Sequence, residues 1–66
     1  MIEAAAMNLA ESYSRANRNV EYYVIDMGNE GFMVATWRTV RDLRRLNPST
    51  GLTTLCHTYY RGKSQP

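Results

Sequence analysis

Ile2, Ala5, Ala6, Leu9, Tyr13 and Ala16 recur three or four positions apart and predict one apolar face of a helix over residues 2–16. Glu3 near its start and Arg15 and Arg18 near its end suit the helix dipole, and Asn17-Arg18-Asn19 interrupts the pattern. The residues that follow are of another kind. "VEYYVIDM" (20–27) and "FMVAT" (32–36) are short, β-branched and aromatic. "GNEG" (28–31) lies between them with two glycines able to take positive φ. This is the pattern of an antiparallel hairpin.

Helical spacing returns at residues 37–46. At roughly 100° per residue, Trp37, Val40, Leu43 and Leu46 form one stripe. Arg38, Arg41 and Arg45 fall opposite, with Arg44 at the border. Asp42 lies within i,i+4 and i,i+3 reach of Arg38 and Arg45. Thr36 or Thr39 is positioned to cap the start, and Thr39 to Asp42 resembles a capping box with Asp in place of Glu. Asn47-Pro48 stops the helix, and Pro48 to Gly51 reads as a loop. "LTTLCHTYY" (52–60) is a third strand, and residues 61–66, "RGKSQP", read as a flexible polar tail.

The order is therefore α-β-β-α-β. It predicts a small single α+β domain over residues 1–60, with a three-stranded, largely antiparallel sheet, the third strand beside the first, and the helices packed on one face. The strands are apolar on nearly every residue rather than alternating, so both sheet faces are expected to be at least partly buried. Two helices on one face would leave the other to a partner protein or to a second copy of the chain, as a homodimer.

Composition narrows the chemistry. A chain of 66 residues buries only about 60% of the surface its unfolded form exposes, so small scaffolds of this kind often need a staple. One cysteine and one histidine exclude an internal disulfide and a Cys/His zinc site built by one chain. No apolar run reaches the roughly 18 residues of a membrane span, so no membrane association is expected. The N-terminal stretch lacks the basic region of a signal peptide, and a lone cysteine suits a reducing compartment. The expected location is cytoplasmic.

Net charge is +2 but uneven: residues 1–34 carry −3 and residues 35–66 carry +5. Such asymmetry, made mostly of arginine, points toward an anionic partner. Arg38, Arg41, Arg44 and Arg45, with Arg61 and Lys63, are the candidate nucleic-acid contacts. No Asn or Gln is interleaved with the helical arginines and no helix-turn-helix partner precedes them, so base reading is not expected. The bland alternative is a solvated helix face.

Tyr22-Tyr23 and Tyr59-Tyr60 are the candidate interface residues. Strand neighbours point to opposite faces, so each pair sends one ring to the covered core and one outward. Outward rings can stack bases or form a protein interface. Cys56 and His57 also face opposite ways and cannot form a thiolate–imidazole pair. Cys56 is expected to be a small buried residue and His57 partly exposed. No catalytic, cofactor or metal residues are expected. The sequence favours a non-enzymatic interaction or regulatory protein that engages an unidentified protein or itself through its sheet. The alternative is weak, largely sequence-nonspecific nucleic-acid binding by the second helix.

Overall fold

A computed structural model of the protein describes residues 1–46 and 54–66. Its elements run α1 (Glu3–Ala16), β1 (Tyr22–Asp26), a 3-10 turn (Gly28–Glu30), β2 (Phe32–Ala35), α2 (Trp37–Leu46), β3 (Thr54–Tyr60) and β4 (Lys63–Gln65). The sheet is antiparallel throughout, in the order β2-β1-β3-β4. Strand β3 lies beside β1, as expected. The Asn47-Pro48 helix stop, the Pro48 to Gly51 loop and the first residues of the expected third strand fall outside the described residues.

The sheet has four strands, not three. Arg61 and Gly62, both at positive φ, form a two-residue turn that folds Lys63–Gln65 back onto Thr58–Tyr60. Positive φ at both central residues is the geometry that matches the right-handed twist of a hairpin. Glycine takes it freely, whereas arginine is strained there. The Arg61 guanidinium is held nearby by the Tyr60 ring, at 5.1 Å from the centroid, and its Nε donates to the Arg18 carbonyl at 3.3 Å. The segment expected as a tail thus ends in an edge strand.

The helices do not share a face; they lie on opposite faces of the sheet. Ala6 and Ala10 of α1 pack on Val24 and Tyr59, with Tyr22, Phe32 and Val34 around them. Val40 of α2 packs on Ile25 and Ala35, with Tyr23, Met27, Met33, Leu43 and Leu55. Even-numbered positions of β1 and β2 therefore meet α1 and odd-numbered ones meet α2, as strand alternation requires. This accounts in part for the continuous apolar strands: α1 covers one sheet face, while α2 packs on the β2 side of the other, where Tyr23, Met33, Leu55 and Tyr60 stay half-buried.

Strand β3 serves both faces by means of a bulge. Val24 pairs with His57 but Ile25 pairs with Leu55, so Cys56 is the extra residue. One extra residue inverts the facing of everything beyond it. Leu55 consequently joins the α2 core while Tyr59 joins the α1 core. Cys56, expected to be buried, is exposed, because the bulge turns it out of the ladder.

The buried stripe of α1 is Ala6, Ala10 and Ser14, rotated from the expected face. Ala6 is shared and Leu9 is half-buried, but Ile2, Ala5, Tyr13 and Ala16 are exposed. Small residues at i, i+4 and i+8 let the helix approach the sheet closely, and the bulk is supplied from below by Val24 and Tyr59. Ser14 has no exposed surface. Its hydroxyl donates to the Glu11 carbonyl at 2.9 Å and accepts the Gly62 N–H at 2.9 Å, so one side chain joins α1 to the β3–β4 turn.

Candidate functional site

Helix α2 starts immediately after β2, with Thr36 at its cap: the Thr36 carbonyl accepts the Val40 N–H at 3.1 Å. Thr39 sits inside the first turn and caps nothing. Val40 is fully buried and Leu43 half-buried, which anchors one side of the helix on the sheet. Arg38, Arg41, Arg44 and Arg45 are all exposed, as the amphipathic spacing requires. The apolar stripe is less completely buried than its spacing suggests, because Trp37 and Leu46 at the helix ends are exposed.

Four guanidinium groups within ten residues meet one carboxylate. Asp42 does not pair with Arg38 or Arg45; it lies 4.0 Å from the Arg41 Nε, both side chains being more than half exposed. Such a pair is worth little against solvent screening. The remaining ion pair among the described residues lies in α1, where Glu11 binds Arg15 at 2.9 Å; the Glu3 carboxylate also lies 3.1 Å from the His57 Nε2. Most of the positive charge of residues 35–66 thus lies on the exposed side of α2.

The aromatic residues divide in the same way. Tyr59 is 6% exposed and Tyr22 is half-buried, both under α1, where Tyr22 also meets Tyr13 at 5.5 Å between centroids. Neither is an outward ring. Tyr23 lies on the α2 side, with its ring centroid 6.1 Å from that of Trp37 and tilted by 58°. Its hydroxyl donates to the Glu21 carboxylate at 2.7 Å. Burial, and then the hydrogen bond and charge of Glu21, hold the Tyr23 phenol above its ordinary value of 10.0. Tyr60 follows Tyr59 and so faces the α2 side. The Arg44 guanidinium lies over Trp37 at 5.6 Å and that of Arg61 over Tyr60 at 5.1 Å. Lys63 is directly opposite Tyr60.

Of the helical arginines, Arg44 thus meets Trp37, while Arg61 meets Tyr60 and Lys63 stands opposite Tyr60 across the β3–β4 pair. Trp37 was legible only as a core residue, because its spacing fits the apolar stripe and nothing in the sequence marks it as exposed. Among the described residues no group of three or more His, Cys, Asp or Glu side chains could hold a metal ion. No helix among them is long and apolar enough to cross a membrane.

No family model matches the chain, and neither curated proteins nor solved structures give a match.

Proposed function

We propose that this protein binds nucleic acid weakly and without sequence preference through the arginine face of α2. The observation that carries this reading is the unbalanced charge of that helix: Arg38, Arg41, Arg44 and Arg45 are exposed around the single carboxylate of Asp42. Guanidinium groups bind phosphate oxygens in a bidentate fork. Neutralising about three or four phosphates gives a log–log salt slope of roughly −3 to −4. Arg61 and Lys63 extend the cationic surface across the sheet.

The test is anisotropy of labelled mixed-sequence DNA and RNA at about 25 and 150 mM salt, with the triple variant Arg38→Gln, Arg41→Gln, Arg45→Gln. These side chains are exposed, so the variant keeps its fold, and circular dichroism checks that it has. Binding that weakens steeply with salt and disappears in the variant is the expected result. Equal binding by the variant, or none by the parent at low salt, refutes the reading.

A protein or self-interface is the second reading. Its motivation in the sequence, a sheet face left uncovered, is met only in part by α2, which packs at the β2 side of that face. What favours it instead is the exposed apolar surface of Ile2, Tyr13 and Val20 at α1 and its C-terminal side, with Ile2 73% exposed. Sedimentation equilibrium over a hundredfold concentration range decides it; a monomer throughout removes the homodimer.

A further inference from the structure

We infer that the nucleic acid held by this surface is single-stranded, with bases stacked on Trp37 and Tyr60. The inference rests on the proposed arginine contacts and specifies the kind of strand they hold.

Trp37 is the first residue of α2 and remains 49% exposed. It is nevertheless not a loose surface ring: Tyr23 flanks it at 6.1 Å and the Arg44 guanidinium lies over it at 5.6 Å. A large ring that is both oriented and open to solvent is a stacking platform rather than a core residue. The run continues across the sheet. Tyr23 pairs with Thr58, so Tyr60, two residues beyond Thr58, is its diagonal neighbour on the same face, about 7–8 Å away between backbones. Tyr60 is half-buried and carries the Arg61 guanidinium at 5.1 Å. Lys63 and Gln65 stand opposite Tyr60 and Thr58 on β4.

The line Trp37–Tyr23–Tyr60 therefore has an arginine-backed ring at each end and cationic side chains beside it. Duplex DNA engages arginines through its phosphates, but its bases are already stacked and are closed to these rings. A single strand uses both. Base–aromatic stacking multiplies affinity by roughly tenfold to a hundredfold per base and tolerates any sequence, which suits helical arginines with no Asn or Gln interleaved. Glu21 opposes binding. Its carboxylate fixes the Tyr23 hydroxyl at 2.7 Å and, one residue before the Tyr22–Tyr59 pair, places a negative charge between Tyr23 and Tyr60.

Trp37 is the only tryptophan of the chain, so its emission reports on the platform directly. The parent protein is titrated at low salt with an oligothymidylate, with a mixed-sequence duplex of equal length, and with polyglutamate. The expected result is quenching of Trp37 by the single strand and affinity at least about tenfold above the duplex. Read by anisotropy of the labelled strands, Trp37→Phe, which keeps a ring against Tyr23, and Tyr60→Leu should each lower single-strand affinity severalfold and leave duplex affinity unchanged. Glu21→Gln should raise single-strand affinity. Equal affinity for both strands with unchanged emission overturns the stacking inference while leaving the arginine reading intact. Equal quenching by polyglutamate overturns it in favour of an acidic protein partner. No binding to any of the three refutes the arginine reading itself.

Discussion

Replacing Ser14 by alanine isolates the one side-chain hydrogen bond that ties α1 to the β3–β4 turn. Ser14 is fully buried, and its hydroxyl accepts the Gly62 N–H at 2.9 Å. Alanine fits the same space but leaves that N–H without its acceptor. An unsatisfied buried donor costs about 1–3 kcal/mol. Alanine recovers roughly 0.5 kcal/mol through its higher helix propensity. The expected net loss is therefore about 1–2 kcal/mol, from a domain of a size that rarely holds more than about 3–5 kcal/mol in all. At about 4–8 °C per kcal/mol the melting temperature falls by roughly 5–15 °C. At about 1 kcal/mol per molar urea the unfolding midpoint falls by about 1–2 M. The control is Ser12→Ala on the exposed side of the same helix, which gains propensity and loses no buried contact. Urea unfolding followed by circular dichroism gives the difference between the two variants. Amide exchange locates it, because Gly62 and the β4 amides should lose protection before β1 and β2 do. If Ser14→Ala and Ser12→Ala unfold at the same midpoint and the Gly62 amide stays protected, the hydroxyl contributes nothing and the account of this junction is wrong.

Ala10→Leu should destabilise by about 1–3 kcal/mol through overpacking against Val24 and Tyr59; an unchanged thermal midpoint would contradict the close approach of α1. Gly31→Ala should cost more than about 1 kcal/mol, because Gly31 has φ 82° and an added Cβ would sit 2.8 Å from the Met1 carbonyl oxygen. Gly28→Ala, at φ 68° but in open space, should cost less, and paired denaturation curves give the order. The raised Tyr23 phenol ionises first in the unfolded chain, so its contribution is complete below about pH 10 and is lost as pH rises through the higher folded value. Stability measured between about pH 9 and pH 11 should fall less steeply in Tyr23→Phe than in the parent.

The β1–β2 hairpin was legible because its signals are local: β-branched residues flank glycines that do take positive φ, at 68° and 82°. The second helix was equally legible, arginine face included, since its stripe has a clean period. The β3–β4 turn was not. Its first central residue is arginine rather than the usual Asn, Asp or Gly, and the strand it returns is polar and three residues long. Gly62 was the signal available. The candidate tyrosines were legible as pairs that split between faces, but not that Tyr22 would meet Tyr13 and Tyr23 would meet Trp37.

Local pattern by itself determined the two helices, the three longer strands, the antiparallel hairpin and the cationic face of α2, because propensity, turn chemistry and helical period act over a few residues. The assignment of faces belonged to the tertiary structure. Helix α1 turns a stripe of alanines and a serine inward, since close approach to Tyr59 and Val24 matters more there than the size of its own side chains. The bulge at Cys56 inverts the facing of β3, a one-residue event that no period reveals. Placing one helix on each face then gives both sides of the sheet a core within a single chain, and it sets Trp37 beside Tyr23 on the face that Tyr60 shares. That meeting of residues distant in sequence depends on strand order and register, which are set by long-range packing rather than by any neighbour along the chain.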